Sequence, residues 1–111
     1  MPPNDQDQTR QLGTHMQTVA FLMKSLSDEN RLRILMSLAD GKKSVSRIVE
    51  EQSLSQPLVS HHLKELKRSL LVTVERQGPF IYYEMADPRI VEIVKAAAEL
   101  ATHLLAKRTT F

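Results

Sequence analysis

Apolar residues recur three and four positions apart along most of the chain up to residue 70, which is the spacing of helices that bury one face. Polar and capping residues interrupt this spacing and divide it into four predicted helices. They run over residues 12–26, 28–39, 44 or 46 to about 52, and 55–68. A turn of three to four residues separates the last two, which predicts a helix-turn-helix pair.

The fourth predicted helix has two faces of different chemistry. Ser55 is a good N-cap and Pro57 falls in the first turn, where a missing N–H costs nothing. The apolar stripe consists of Val59, Leu63, Leu66 and Leu70. The opposite face carries hydroxyl, imidazole and cationic groups without a carboxylate, at Pro57, Ser60, His61, Lys64 and Arg68. A helix that buries one side and presents such a face suits the major groove of DNA.

After residue 71 the spacing changes to that of a β-hairpin followed by one more helix. Residues 72–76 and 80–85 alternate and are rich in β-branched and aromatic side chains. Asp87 is the predicted N-cap of the final helix and Pro88 its first residue. The complete order predicts a mainly α fold with a small β-hairpin, a winged helix-turn-helix, as one domain over residues 12–107. A disordered polar tail is expected over residues 1–11.

The first and last predicted helices are more apolar than one small core requires. Such a surplus is typical of a partner surface, and the simplest arrangement is a symmetric dimer through these two helices. The alternative is that both helices only cover the core of the monomer.

Charge and composition narrow the function classes. The 111 residues carry a net charge of only +2, but residues 42–76 hold seven Lys and Arg against four Glu. The positive excess therefore surrounds the fourth helix, as expected for binding a polyanion. The chain has no cysteine, which excludes disulfides, thiolate metal sites and cysteine nucleophiles. Without a secretory leader or a long apolar run, we expect a cytoplasmic protein with no membrane partner.

Three segments resemble the ArsR-type (ArsR/SmtB) family of bacterial repressors. Residues 26–35, Leu-Ser-Asp-Glu-Asn-Arg-Leu-Arg-Ile-Leu, resemble the family segment L-x-D-x-x-R-L-x-I-L. Residues 55–66, Ser-Gln-Pro-Leu-Val-Ser-His-His-Leu-Lys-Glu-Leu, are similar to its recognition helix, and residues 78–83 to its wing. The resemblance extends over residues 15–105. It implies a homodimeric repressor that binds an inverted-repeat operator in double-stranded DNA and releases it when an inducer binds.

The resemblance also implies roles for individual residues at the DNA. Four side chains match positions that face the major groove, namely Gln56, Ser60, His61 and Lys64. Ser55 and Arg68 would contact phosphates, and Arg76 would reach a phosphate or the minor groove from the wing. Lys42 and Lys43 would add contacts to the DNA backbone.

Two residues near these positions are expected to behave differently. His62 lies toward the buried flank of the helix, so we expect it to pack and form hydrogen bonds rather than contact a base. Pro79 follows the wing glycine, where many relatives carry a cation, and this departure predicts weaker contacts between the wing and phosphate.

The metal sites of the family are altered in this sequence. Ser44-Val45-Ser46 stands where metal-sensing relatives carry Cys-Val-Cys, and a neutral hydroxyl does not replace a thiolate for soft metals. A second family site on the last helix keeps Asp87 and His103 but has Arg89 and Leu100 at its other two positions. We therefore expect no metal and no other cofactor. A tetrahedral zinc site needs more than the two ligands that remain. The alternative is a residual site in which His15 approaches His103 and Asp87 across a dimer.

An inducer, if one exists, is then something other than a thiolate-bound metal. One alternative is an organic ligand between the first and last helices, near Met16, Phe21 and Met23. The other is a repressor controlled by its own abundance. Neither alternative specifies the sequence of the operator.

Two other functions compete with DNA binding as interpretations of the sequence. A winged helix can serve as a protein-interaction module without specific DNA binding, but this predicts an apolar or acidic patch where the fourth helix is cationic. An enzyme is disfavoured because Ser60, His61 and His62 are neighbours on a helix, so their side chains diverge and form no triad.

Overall fold

The computed structural model describes Gly13 and residues 15–110. The elements in chain order are α1 (Met16–Ser25), α2 (Glu29–Ser37), β1 (Lys43–Ser44), α3 (Val45–Gln52), α4 (Gln56–Arg68), β2 (Val72–Gln77), β3 (Phe80–Met85), α5 (Arg89–Ala106) and a 3₁₀ turn (Lys107–Thr110). The predicted mainly α fold with a β-hairpin is confirmed. The predicted tail of residues 1–11 and the predicted helix start at Leu12 lie outside the described residues.

Short polar residues set the start of three consecutive helices. The side chains of Asp28, Ser44 and Ser55 accept hydrogen bonds from backbone N–H groups three residues later, at the N-termini of α2, α3 and α4. Ser53 ends α3 in the left-handed conformation with φ 54°, which reverses the chain within a few residues. The predicted helix-turn-helix pair is therefore α3 and α4, and we call α4 the recognition helix.

The core is built around the recognition helix. One side of it contributes three fully buried side chains, Val59, Leu63 and Leu66. They pack in one cluster with apolar residues of α2, α3, β2, α5 and the adjoining turns, of which the largest fully buried ones are Ile34, Leu35, Leu38 and Ile48. Because these contacts come from elements on several sides, the orientation of the recognition helix is fixed by the core.

The sheet has a third strand that the sequence analysis missed. β1 pairs with β3 in antiparallel register, with Lys43 opposite Tyr83 and Ser44 opposite Tyr82. β3 also pairs with β2 along its whole length, from Val72 opposite Met85 to Gln77 opposite Phe80, so the strand order is β1-β3-β2. We call the β2–β3 hairpin the wing. Its pairing with β1 connects it to the residue before α3 and so to the helix-turn-helix pair.

The predicted start of the final helix is wrong by one residue. Pro88, with a helical φ of −63°, is the N-cap of α5, and Asp87 lies before it. The Asp87 carboxylate accepts from the backbone N–H of Arg89 at 2.9 Å and from its guanidinium at 2.7 Å. Asp87 therefore still satisfies a donor in the first turn, from a position outside the helix.

The sequence analysis placed Leu70 in the apolar stripe of the recognition helix, and this prediction is wrong. The helix ends at Arg68, and Leu70 is 81% exposed with φ 64°. Its N–H bonds to the Lys67 carbonyl, and the N–H of Leu71 bonds to the Leu66 carbonyl at 2.9 Å. These two bonds form a Schellman cap, in which the left-handed position favours glycine.

We expect Leu70→Gly to stabilise the protein, since a left-handed conformation costs a residue with a side chain about 1 kcal/mol. Leu70→Ala is the matched control, because it removes the exposed side chain but keeps the Cβ that causes the cost. Urea unfolding should give the Gly variant a free energy of unfolding about 1 kcal/mol above that of the Ala variant. Equal values for the two would contradict the assigned cap.

Helices α1 and α5 lie largely outside the core. None of the residues of α1 is buried, and in α5 only Ile90 is. Their exposed apolar side chains include Phe21 and Met23 on α1, and Leu100 and Leu104 on α5. A groove of about 350 Å³ runs between α1 and α5, with Met23 of α1 and Leu32 of the adjoining α2 on one side and Ile93, Val94, Ala97 and Ala101 of α5 on the other. The monomer alone does not cover this surface.

Candidate nucleic-acid interface

The recognition helix turns one polar side to solvent. Its buried residues are Val59, His62, Leu63 and Leu66. Its exposed residues include Gln56, Pro57, His61 and Lys64, and Ser60 is half-buried between the two sides. The structure therefore places on one accessible side the residues that the sequence analysis assigned to the major groove. Whether they contact bases stays a prediction.

Ser55 caps the start of the recognition helix in the DNA-free protein. Its hydroxyl accepts a hydrogen bond from the Leu58 N–H at 3.3 Å, and the residue itself is exposed. A capping hydroxyl can still donate its own proton, so the predicted phosphate contact is compatible with the cap.

The positive excess of residues 42–76 divides into two groups. Lys42, Lys43 and Arg47 each form an ion pair with a carboxylate, of Glu75 or Glu51, at 2.8 to 2.9 Å. Lys64, Lys67 and Arg76 form no ion pair with a described residue, and Arg68 lies 3.9 Å from Glu65 with 77% of its side chain exposed. The uncompensated charge therefore belongs to the recognition helix and the wing. Lys67 was absent from the predicted site, although its type and position in the last turn point to it.

Lys43 is a correction to the predicted interface. It is only 8% exposed, and its ammonium lies 2.8 Å from Glu51 and 3.4 Å from Asp40. The hydrogen bond with Glu51 raises the pKa of Lys43 and keeps it charged. The Glu51 side chain is 31% exposed, so the pair is half-buried. It holds β1 against α3, and a contact between Lys43 and DNA would have to compete with it.

Lys42 and Arg76 flank the sheet differently. Lys42 is 40% exposed, bonds to Glu75 at 2.9 Å and lies 5.7 Å from the centre of the Tyr82 ring. Arg76 is exposed on β2 opposite Ile81, beside the wing turn at Gly78. Arg76 is thus the more available cation of the two, while Lys42 would have to leave Glu75 to contact a phosphate.

His62 is buried, as the sequence analysis expected. It is 4% exposed, and its Nδ1 lies 3.4 Å from the Nε of Arg31. Its Nε2 lies 3.6 Å from Oδ1 of Asp28. Burial lowers the pKa of His62 below its usual 6.5, an effect that Asp28 opposes and that Arg31 and His61 reinforce. Sequence reasoning did not identify Arg31 as its partner.

The positions that match the metal ligands of related repressors form other contacts in this protein. The hydroxyls of Ser44 and Ser46 lie 3.2 Å apart, and Ser44 caps α3. The hydrogen bonds from Arg89 lower the pKa of Asp87 to about 2, so this carboxylate already has a cationic partner. Within residues 15–108, no three His, Asp or Glu side chains come together as a metal site. In the same part of the chain, no helix is long and apolar enough to cross a membrane.

The sequence is similar to those of known bacterial and archaeal regulators. The model for the family described as bacterial regulatory protein, arsR family, matches residues 28–74. An uncharacterized HTH-type transcriptional regulator of Methanocaldococcus jannaschii is 38% identical over 82 residues, which cover 73% of this chain and 92% of that protein. A probable mercury resistance operon repressor of Streptomyces lividans is 35% identical over 88 residues, which cover 79% of this chain and 70% of the repressor.

Solved structures show the same fold. The transcriptional repressor BigR from Xylella fastidiosa superposes with a TM-score of 0.75 at 26% identity, over 83% of this chain and 94% of that one. A possible ArsR-family regulator from Mycobacterium bovis, described as a homodimeric winged helix-turn-helix DNA-binding domain, superposes with a TM-score of 0.72 at 26% identity, over 93% and 91% of the two chains.

Proposed function

The chain belongs to the ArsR family of bacterial regulatory proteins, and from this premise we propose that it is a DNA-binding repressor of transcription that acts in the cytoplasm as a homodimer on an inverted-repeat operator. The observation that carries the proposal is the exposed side of the recognition helix. It combines hydrogen-bonding groups with Lys64, which has no ion pair with a described residue, and with Arg68, whose side chain is 77% exposed, on a helix that the core holds rigidly.

The interface we propose follows from this arrangement. Bases are contacted by Gln56, Ser60, His61 and Lys64, of which Gln suits adenine and Lys suits guanine. Phosphates are contacted by residues at the rim of the recognition helix and on the wing, namely Ser55, Lys67, Arg68 and Arg76. Pro57 shapes the helix start between these groups. Lys42 joins only where a phosphate competes with Glu75.

Dimerisation through α1 and α5 is supported by the apolar surface that the monomer leaves open. The groove between the two helices and the exposed Leu100 and Leu104 form one apolar side of the molecule. Covering it with a second copy removes this surface from water and relates the two recognition helices by a two-fold axis. The half-sites then lie about one helical turn of DNA apart, or a multiple of it.

The switch of this repressor is not a thiolate-bound metal, since the chain has no cysteine. We propose that release from DNA, where it occurs, follows binding of an organic ligand at the α1–α5 surface. The groove lined by Met23, Ile93 and Ala97 is apolar and lies in the proposed dimer contact, so a ligand bound there would act on the pairing of the two copies.

The proposal is tested by fluorescence anisotropy on DNA from the region upstream of the protein's own gene. A scrambled duplex is the control, and both are titrated across a salt series with and without EDTA. We expect a dimer per site, preference for the upstream duplex, insensitivity to EDTA and a logarithmic affinity that falls by about one unit per phosphate contact for each tenfold rise in salt.

Three results would count against it. A single half-site bound as tightly as the palindrome would refute the two-fold geometry. Loss of binding in EDTA would refute the metal-independent switch. Absence of binding at low salt to both the upstream duplex and a library of random duplexes would refute DNA binding and favour a protein-interaction module.

A further inference from the structure

One contact joins the middle of the recognition helix to the start of α2. His62 is the only histidine of the described chain that is buried, and it faces α2 rather than the exposed side. Arg31 reaches it with Nε and reaches the carbonyl of Ser25 with Nη1 at 3.3 Å. Asp28, which caps α2, accepts from the backbone N–H of Arg31 at 2.9 Å. The α1–α2 junction and the recognition helix are thereby connected through one imidazole.

The geometry selects one protonation state of this imidazole. A guanidinium only donates, so the Nδ1 atom that faces Arg31 at 3.4 Å must be the acceptor. A neutral ring then carries its proton on Nε2, which faces the carboxylate of Asp28 at 3.6 Å. Both ring nitrogens are matched to their partners in this tautomer, and the opposite tautomer would set two N–H groups against each other.

We propose that His62 is a positioning residue for the DNA interface: Arg31 and Asp28 hold the recognition helix in its DNA-binding orientation through the neutral Nε2–H form of His62. This deepens the proposed function and rests on it where DNA affinity is the readout. The role is local, because His62 follows His61 and Ser60 directly, and a rotation of the helix that breaks the contact would move both.

Protonation of His62 would remove the contact with Arg31. The charged ring donates from both nitrogens, so Nδ1–H would face the donor Nε–H of Arg31. The charged or titratable groups that face the ring are Asp28 and Arg31 of α2 and His61 of its own helix. Asp28 alone favours the charged ring, whereas Arg31 and, once protonated, His61 oppose it. Asp28 and Arg31 also line an open cleft of about 500 Å³, through which water reaches them.

Three variants at position 62 separate positioning from packing. His62→Asn places an amide oxygen near the position of Nδ1 and keeps an acceptor for Arg31. His62→Gln places its amide near Nε2 and does not. His62→Leu fills similar space without any polar atom. Because a hydrogen bond to a charged group contributes about a factor of ten, we expect Leu and Gln to weaken operator binding about tenfold and Asn to stay within about threefold of the parent.

The coupling to Arg31 is tested by a double-mutant cycle. Arg31→Met and His62→Leu each break the same contact, so the double variant should lose no more affinity than the worse single variant. Circular dichroism at the assay temperature confirms that each variant is folded. Additive losses in folded variants would overturn the proposal, as would an Asn variant no better than the Leu variant.

A pH series distinguishes this role from a purely structural one. All variants carry His61→Gln, so that His62 is the one imidazole left on the recognition helix. With His62 present, operator affinity should fall as the pH passes below the lowered pKa of His62, where the folded protein first takes up this proton. With His62→Asn, which does not titrate, this decrease should be absent. An identical pH profile in both would overturn the proposal.

A measurement without DNA keeps the inference separate from the proposed function. ¹⁵N NMR of the free protein reports the tautomer of each histidine directly. We expect His62 to be neutral with its proton on Nε2 at pH 7.5 and to lose that signature in Arg31→Met. A proton on Nδ1, or a spectrum unchanged by Arg31→Met, would refute the positioning contact whether or not the protein binds the chosen operator.

Discussion

Lys64→Glu is expected to lower affinity for the operator about 1,000-fold, since a carboxylate beside phosphates costs about 2 kcal/mol per protomer and a dimer carries it twice. Lys64 is exposed on the recognition helix and has no ion pair with a described residue, so its charge is available to the DNA. The replaced side chain makes no contact in the core, and the free energy of unfolding should change by no more than about 0.5 kcal/mol. Fluorescence anisotropy at fixed salt measures the first effect and urea unfolding the second.

The matched control for this charge reversal is Lys95→Glu. Lys95 is also an exposed lysine on a helix, and its reversal changes the net charge by the same amount. A general electrostatic effect would weaken both variants alike, whereas a contact at the groove weakens only the Lys64 variant. Equal, small losses in the two variants would show that the recognition helix does not enter the groove by this side.

Lys64→Ala gives the finer information about the kind of contact. If Lys64 binds a guanine edge, discrimination between the operator and a duplex altered at that base should fall, while the salt dependence changes little. If it binds phosphate, affinity for both duplexes should fall alike, and the salt slope should decrease by about one unit per contact.

The recognition helix was predictable because its determinants are local. Ser55 caps its start, and the apolar positions Val59, Leu63 and Leu66 follow the helical period, so the buried side is defined within a few turns. The burial of His62 follows from the same period. The positions outside the apolar stripe form the exposed polar side. The exposed residues of the helix are therefore mostly those that the sequence analysis placed on that side.

The features that sequence analysis missed depend on residues far apart in the chain. β1 has two residues and forms only because β3 presents Tyr82 and Tyr83 to it. Lys43 was assigned to DNA by its charge, but folding places it against Glu51 and Asp40. A count of charges along the sequence does not show which of them are paired, and here Lys42, Lys43 and Arg47, the first half of the apparent basic region, all have carboxylate partners.

Local rules also failed at two helix ends. Leu70 continues the apolar period beyond Arg68, yet the backbone turns into the left-handed conformation there and exposes the side chain. Core packing of Leu71 and Val72 outweighs the cost at Leu70, since both are nearly fully buried. At the start of α5, the side-chain chemistry of Asp87 predicted it as the N-cap, but Pro88, with its fixed φ, occupies that position.

Ala97→Glu is expected to dissociate the proposed dimer and thereby abolish operator binding. Ala97 lines the apolar groove between α1 and α5, and it is exposed in the monomer. Glutamate is a good helix former, so the monomer should remain folded, with a change of only a few tenths of a kcal/mol. Burying two unpaired carboxylates in the dimer contact would cost several kcal/mol, which raises the dissociation constant of the dimer by about 1,000-fold. Sedimentation equilibrium measures the oligomeric state and anisotropy the affinity for DNA.

Ala106→Glu is the control that makes this result specific. It introduces the same side chain into the same helix at its last residue, and it does not line the groove. We expect this variant to remain a dimer and to bind the operator within about threefold of the parent, since exposed substitutions change little. Because one half-site contributes only part of the contacts, a monomeric Ala97 variant that still bound the palindrome tightly would contradict the two-fold geometry. A dimeric Ala97 variant would instead show that the apolar side formed by α1 and α5 pairs with something other than a second copy of this chain.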